Sequence, residues 1–199
     1  MECQQLVAAP LAAEAFLPFG RVVEPGSGAG HEVNAGTALR FDLAGHFAHR
    51  TASALPTLAV YRCQPQRLPA QVTLLERHPL SSQTFVPIAT TRWLVVLAPA
   101  AAADHGPAPA GARAFLAGGG QGVSYAPGTW HSPLIALDRP TDFAMLMWEA
   151  GARQDSEVRS LSVPLRVSLP GSARAADGGV SLRPSHAEDD EVDRINRQE

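Results

Sequence analysis

The sequence predicts an all-β fold, a closed barrel or a sandwich, and two observations support this. Its 17 glycines and 17 prolines are spread along 199 residues, between short apolar runs, and do not gather in one linker. Eight runs after residue 57 are short, apolar or alternating, and bounded by turn residues. Strands joined by tight turns produce this pattern, whereas long helices do not. The length favours one domain with a single core.

The elements follow in order along the chain. Residues 10–19 predict a short N-terminal helix, which Pro18 and Gly20 end. A strand is expected at 21–24, a loop at 24–30, and a segment with a two-residue rhythm at 31–43. The eight later strands are predicted at residues 58–63, 71–78, 85–88, 93–98, 114–116, 122–125, 132–137 and 143–148.

Two segments lack a strand pattern. Residues 99–111 are rich in Ala, Pro and Gly without periodicity, and we expect an exposed loop there. Beyond about residue 170, small residues and Pro lead into an acidic run that has too few apolar residues to form a core. We therefore predict a domain over residues 1–168 and a disordered acidic tail over residues 169–199.

Composition excludes several classes of function. The net charge of -3 and the lack of a basic stripe argue against a nucleic-acid partner. All sixteen cations are Arg, so Schiff-base chemistry at Lys and a Walker-type phosphate loop are ruled out. Cys3 and Cys63 have neither metal-ligand nor redox spacing, and no apolar run is long enough to cross a bilayer. These features predict a cytoplasmic protein without a membrane segment.

The segment 71–88 carries the most chemical information. In a strand, alternate side chains share a face, so Glu76 and His78 project to one side while Arg77 projects to the other. Gln83 follows Pro79 and a short polar turn, where the chain re-enters the sheet and can return to the same place. A carboxylate, an imidazole and an amide are thus expected to converge.

A second segment, residues 122–131, places a Pro-Gly turn three residues before His131. Together the two segments resemble the two cupin motifs, which supply His-x-His, a carboxylate after a four-residue gap, and Gly-x-x-His. Here Glu76, His78, Gln83 and His131 occupy the ligand positions. Glu replaces the first His and Gln replaces the acid, and a neutral amide is a weaker metal ligand than a carboxylate.

A closer resemblance appears when more of the chain is considered. Three segments are similar to segments of the ureidoglycolate lyase family. They are residues 75–83 (Leu-Glu-Arg-His-Pro-Leu-Ser-Ser-Gln), residues 120–123 (Gly-Gln-Gly-Val), and Trp130 with His131. The similarity runs from about Phe16 to Trp148. Supporting pieces are residues 19–23, 34–41, 61–63, 93–96, 113–116 and 142–143.

The resemblance implies a homodimeric cupin-type (RmlC-like) β-barrel that cleaves ureidoglycolate to glyoxylate and urea in allantoin and purine degradation. That reaction needs a base for the hydroxyl proton, an acid for the departing nitrogen and a cation for the carboxylate. His78, His131 and Glu76 are the candidate catalytic residues. The candidate substrate-binding residues are Arg40, Arg62, Arg77, Asn34, Ser81, Gln83 and Tyr125.

We expect no cofactor to be required. The alternative is a divalent metal, Mn²⁺ or Zn²⁺, held by Glu76, His78, Gln83 and His131. Two other functions stay open at this point. One is a non-catalytic cupin that binds a small carboxylate, and the other is a metal-dependent cupin enzyme of different specificity.

Overall fold

A computed structural model describes residues 2–26, 29–43, 47–102 and 105–171. Among the described residues, the regular secondary structure is almost entirely strand, in two packed sheets that form a nearly closed barrel. This confirms the predicted cupin-type all-β fold. The boundary predicted at residue 168 stays a prediction, and most of the predicted acidic tail lies outside the described residues.

The elements agree well with the predicted ones. The one α-helix in the described part of the chain is α1 (Ala13–Phe16), which lies within residues 10–19 as expected. The strands are β1 (Gln4–Val7), β2 (Ala9–Pro10), β3 (Gly20–Val23), β4 (His31–Val33), β5 (Ala38–Arg40), β6 (Leu55–Cys63), β7 (Ala70–Arg77), β8 (Gln83–Pro87), β9 (Trp93–Ala98), β10 (Arg113–Ala117), β11 (Gly122–Tyr125), β12 (Trp130–His131), β13 (Ile135–Ala136), β14 (Thr141–Glu149) and β15 (Glu157–Ser168).

The two main sheets face each other. The larger sheet has the strand order β1-β15-β7-β12-β9-β10-β2, with β13 also pairing with β9. The smaller sheet has the order β3-β11-β8-β14-β6, and β4 pairs with β5 in a separate hairpin. Most neighbours are distant in sequence, so the barrel is closed by long-range pairing and not by successive hairpins.

The core lies between the two sheets because their strands alternate apolar side chains inward. Trp93, Val95 and Leu97 on β9 meet Phe143 and Met145 on β14. The opposite face of the larger sheet is also covered, and a second cluster there includes Leu75, Leu94 and Trp130. Since β9 is buried on both faces, it reads as a continuous apolar run in the sequence.

Sheet register decides which side chains face the barrel interior. His131 pairs with Leu97 and with Glu76, and cross-strand partners share a face, so Glu76 points inward with the core. Arg77 points outward, where its guanidinium lies 4.6 Å from the centroid of the Trp130 ring. The structure therefore confirms the prediction that Glu76 and Arg77 lie on opposite faces of β7.

Several parts of the chain differ from the sequence-based expectation, among them β1 and β2, which were not predicted. Strand β15 was not predicted, because its apolar residues are interrupted by Arg, Ser and Pro164, and a break in register lies between Ser160 and Leu165. Of the strand expected at residues 132–137, only β13 (Ile135–Ala136) forms, and β12 (Trp130–His131) ends just before that range. The described residues from 99 to 108 form no named strand or helix, in line with the prediction, and Pro109–Gly111 form a 3-10 turn. The carbonyl of His105 in this segment receives hydrogen bonds from Arg77 and Trp130.

No helix in the described segments is long and apolar enough to cross a membrane.

Candidate active site

Four predicted residues meet inside the barrel. Glu76 lies at the end of β7, His78 just beyond it, Gln83 at the start of β8 and His131 at the end of β12. One ligand atom each from Glu76, His78 and His131 lie within 4.8 Å of one another. The Oε1 atom of Gln83 lies 3.0 Å from Nε2 of His131. The two sequence segments therefore deliver their side chains to one place.

Backbone carbonyls fix the orientation of both imidazoles. Nδ1 of His78 donates to the carbonyl of Asp155 at 2.9 Å, and Nδ1 of His131 donates to the carbonyl of Thr129 at 2.9 Å. Because each Nδ1 carries its proton, each Nε2 is turned toward the centre of the site. Nε2 of His78 is buried and has no hydrogen-bond partner in the structure. That atom is free to accept a proton or to bind a ligand.

His131 is held more tightly than His78. Its side chain is almost fully buried, and its ring stacks on that of Tyr125 with centroids 4.1 Å apart and planes tilted by 14°. Nε2 of His131 also lies 3.6 Å from Oε1 of Glu76, the separation of an ion pair and too long for a strong hydrogen bond. The two histidine rings are 5.6 Å apart, so a small molecule can contact both.

The electrostatic environment separates the roles of the ionisable groups. Interaction with the His131 imidazole lowers the pKa of the Glu76 carboxyl, and burial opposes this only in part, so Glu76 is ionised at neutral pH. Burial, followed by the neighbouring charge of His131, lowers the pKa of His78 below the 6.5 usual for histidine. Burial likewise raises the pKa of the Tyr125 hydroxyl well above its ordinary value. At pH 7 the site thus contains a carboxylate and a neutral His78.

The residues fit a divalent metal ion as well as acid–base chemistry. Two imidazole Nε2 atoms and one carboxylate form a common ligand set for such an ion, and both Nδ1–H groups are held by backbone carbonyls, as is usual for metal-binding histidines. The unpaired Nε2 of His78 is the structural feature that such an ion would satisfy. The metal would be held by Glu76, His78 and His131, with Gln83 beside them.

The three predicted carboxylate-binding arginines are each paired with an acid. Arg40 binds Asp42 at 2.7 Å in the β4–β5 hairpin. Arg62 makes a two-point contact with Asp142, and its side chain leaves the outer face of β6. Arg77 binds Glu157 at 2.6 Å and stacks on Trp130. None of these contacts brings a guanidinium to Glu76, His78 and His131.

The remaining predicted residues divide into two groups. Tyr125 lies within the site, beneath His131. Ser81 is buried but serves the backbone, because its hydroxyl donates to the carbonyl of Ser82 and accepts the amide of Trp148. Asn34 is exposed in the turn between β4 and β5, in the left-handed conformation with φ of 54°. The site nucleus therefore consists of the cupin-motif positions and Tyr125.

The sequence analysis missed three inward-facing neighbours of this nucleus. Met147 on β14 pairs with Gln83, and its sulfur accepts the Gln83 amide at 3.6 Å. Glu149, two residues further along the same inward row, acts electrostatically on both His78 and Tyr61. Tyr61 in turn makes an edge contact with Phe85. A charged residue ending the inward row Phe143, Met145 and Met147 was the signal that could have revealed Glu149.

Comparison with known proteins agrees with this geometry. A family model described as ureidoglycolate lyase matches residues 3–168. The chain belongs to the ureidoglycolate lyase family. Within that family, it is 42% identical over 137 residues to the ureidoglycolate lyase of Burkholderia mallei (strain NCTC 10229), covering 69% of this chain and 78% of the relative. It is 39% identical over 157 residues to the ureidoglycolate lyase of Brucella abortus biovar 1 (strain 9-941), covering 78% and 89%.

Among solved structures, a dTDP sugar isomerase from Desulfovibrio desulfuricans G20 is similar to this ureidoglycolate lyase family member with a TM-score of 0.40 and 16% identity. The match covers 65% of this chain and 78% of that chain. It is too distant to bear on the site.

Proposed function

We propose that this protein is a lyase that cleaves ureidoglycolate to glyoxylate and urea, a step of allantoin and purine degradation. Family membership over residues 3–168 supports the activity. The convergence of a carboxylate and two imidazoles in the barrel supplies the groups that the reaction needs. This convergence is the observation on which the proposed mechanism rests.

The reaction requires a base near the substrate hydroxyl. As the hydroxyl proton leaves, the oxygen electron pair forms the aldehyde C=O of glyoxylate and the C–N bond to the ureido nitrogen breaks. His78 is the candidate base, because its Nε2 is unpaired, buried and unprotonated at neutral pH. The Asp155 carbonyl keeps its other nitrogen protonated.

The departing ureido nitrogen must receive a proton to leave as urea. His131 is the candidate acid, since its Nε2 faces the site between the oxygens of Gln83 and Glu76, which can accept a hydrogen bond from a proton on that nitrogen. The Glu76 carboxylate, 3.6 Å from this nitrogen, orients the ring. In each turnover His78 accepts one proton and His131 donates one. Passage of the proton from His78 to His131, beside Glu76, then resets the site.

We propose that side-chain acid–base chemistry suffices for this reaction, and a divalent ion is the alternative. Mn²⁺ or Zn²⁺ at Glu76, His78 and His131 would polarise the hydroxyl or carboxylate oxygen of the substrate. The protein should retain glyoxylate release after dialysis against a chelator. Complete loss that added Mn²⁺ or Zn²⁺ restores would establish a metal enzyme.

The proposal also includes a homodimer in the cytoplasm, with no nucleic-acid partner. The outer face of the smaller sheet exposes Leu58 and Val60 on its edge strand β6, with 75% and 64% of each residue accessible. Exposed apolar residues adjoining one another are typical of a surface that a second copy covers. The free thiols of Cys3 and Cys63 are the state expected in a reducing compartment.

The proposal is tested by incubating purified protein with ureidoglycolate and measuring urea and glyoxylate together. Equal amounts of both products should appear above the spontaneous decay of the substrate. A His131→Ala variant should lose at least about 100-fold in kcat, the usual contribution of an acid–base residue, while remaining folded by circular dichroism. The surface variant His31→Ala is the control and should be unaffected.

Two results would contradict the assignment. Binding of glyoxylate without turnover would favour the non-catalytic carboxylate-binding protein. Near-normal turnover by the His131→Ala variant would remove His131 from the mechanism.

A further inference from the structure

The proposed reaction leaves one requirement unassigned, a cation for the substrate carboxylate. Arg40, Arg62 and Arg77 are each bound to an acidic partner, so a substrate carboxylate would have to displace that partner. An arginine at the site entrance with no acidic partner would bind the carboxylate without this competition.

Arg153 meets this description. It lies in the short 3-10 turn Arg153–Asp155 between β14 and β15, and among the residues that the structure describes it has no acid within ion-pair distance. The same turn is fixed to the site, because the Asp155 carbonyl accepts the Nδ1–H of His78. Oδ2 of Asp155 closes the turn by accepting the amides of Ala150 and Ala152. Arg153 is therefore anchored two residues from a direct contact of the candidate base.

Arg153 also lines a cleft next to the segment that follows His78. This cleft of about 640 Å³ is bounded by Pro79 and Leu80, which follow His78, and by Arg153, Gln154, Ser156, Glu157 and Val158. Val158 pairs in register with Glu76 and shares its face of the sheet. Directly opposed residues in antiparallel strands have Cβ atoms about 5 Å apart, so Val158, which lines the cleft, lies beside Glu76.

The charge of the cleft favours an anion. Its one acid, Glu157, is already neutralised, since one carboxylate oxygen binds Arg77 and the other binds Arg159. Arg153 is then the uncompensated charge, and it is positive. A guanidinium offers two parallel N–H donors that match the two oxygens of a carboxylate.

We infer that Arg153 binds the substrate carboxylate at the mouth of the barrel, orienting the hydroxyl-bearing carbon toward His78 and Glu76. The inference rests on the proposed function for the identity of the substrate. It also assigns a direction to the substrate, with the carboxylate toward the β15 side of the site and the ureido group toward His131.

The test compares Arg153→Met, Arg153→Lys and the control Arg166→Met. Arg166 is an exposed arginine on β15, in a separate cleft with Glu2 and Gln71. Loss of a charge-assisted contact should raise the KM of Arg153→Met roughly 10-fold or more, with kcat little changed. The KM of Arg153→Lys, which keeps the positive charge but loses the two parallel N–H donors, should lie between those of wild type and Arg153→Met. Arg166→Met should match wild type.

Product binding separates this role from a merely structural one. Inhibition by glyoxylate, which carries the carboxylate, should weaken in Arg153→Met in parallel with KM, whereas inhibition by urea should not change. The inference would be overturned if Arg153→Met left KM and the affinity for glyoxylate unchanged. It would also be overturned if the variant weakened inhibition by urea as much as inhibition by glyoxylate.

Calorimetric titration with glyoxylate makes the test independent of turnover. If wild type binds glyoxylate through Arg153 but releases no urea from ureidoglycolate, the proposed function fails and the carboxylate site stands. If wild type turns over the substrate and Arg153→Met binds glyoxylate equally well, the carboxylate site fails and the function stands. A wild-type protein that binds no glyoxylate also overturns the carboxylate site.

Discussion

At the scale of single residues, hydrogen bonds at the remote ring nitrogens decide what the two histidines can do. Nδ1 of His78 and Nδ1 of His131 each donate to a backbone carbonyl, which leaves both Nε2 atoms directed at the substrate space. The neighbours of Nε2 then differ. That of His131 faces two oxygens, whereas that of His78 is buried without a partner. Two chemically identical side chains thus suit opposite roles, acid and base.

The lowered pKa of His78 predicts the pH dependence of catalysis. A base with a pKa below 6.5 is already unprotonated at pH 7, so kcat/KM should be constant near neutrality and fall only as the pH drops below about 6.5. The fall in kcat/KM at low pH should be absent from the residual activity of His78→Ala. It should persist in the exposed control His31→Ala. A limb centred above pH 7 in wild type would exclude His78 as the base.

The same shift affects stability with a defined sign. The folded pKa of His78 is below the unfolded value, so the unfolded chain binds more protons as the pH falls through the unfolded pKa. The contribution of neutral His78 to stability is therefore present above about pH 6.5 and is lost on acidification toward the folded pKa. The lowered pKa of Glu76 acts in the same direction, but below about pH 4.5.

At the scale of elements, the turn Arg153–Asp155 joins two strands and orients the candidate base. Its Asp155 contributes a side chain that closes the turn and a carbonyl that holds His78. The geometry of the site thus depends on a connection distant in sequence from either cupin motif.

Asp155→Ala should therefore impair both stability and activity. Removing two charge-assisted contacts should lower the free energy of unfolding by about 1–3 kcal/mol, measured by urea denaturation. It should also lower kcat/KM, because the carbonyl that orients His78 shifts. Asp155→Asn, which keeps an acceptor oxygen, should recover most of both.

The control for that experiment is Asp42→Ala, which removes an exposed ion pair with Arg40. Exposed pairs contribute less than about 1 kcal/mol, so its stability and kinetics should stay close to those of wild type. Wild-type behaviour of Asp155→Ala in both assays would show that the turn does not position His78.

At the scale of the whole molecule, the smaller sheet has one buried face and one face that is exposed at its edge strand β6. Its inner face carries Phe85, Phe143 and Met145 into the core. On its outer face, Leu58 and Val86 line an apolar cavity of about 220 Å³. This surface is where we propose that a second copy of the chain binds.

Leu58→Asp should convert the dimer to a monomer, because a carboxylate at the centre of an apolar contact is costly to bury. Sedimentation equilibrium measures the change. Val7→Asp introduces the same charge at an exposed apolar residue on β1, in the other sheet, and should leave the dimer intact. A monomeric wild-type protein, or a dimeric Leu58→Asp variant, would contradict this assignment of the interface.

The sequence by itself determined the all-β fold and the nucleus of the site. The two-residue period of a strand is a local property, so it separated Glu76 and His78 from Arg77 before any tertiary contact was known. The cupin-motif spacing then brought Gln83 and His131 to the same place.

Only the tertiary structure decided which groups surround that nucleus. Whether an arginine is free or paired depends on contacts such as Arg62 with Asp142, whose partners lie 80 residues apart. The pairing of β15 with β7, which places Asp155 against His78 and opens the cleft beside Arg153, is equally long-range. Sequence periodicity predicts which face of a strand a side chain occupies, but it does not predict which strand lies next to it. The neighbouring strand decides whether a charged side chain has a partner of opposite charge.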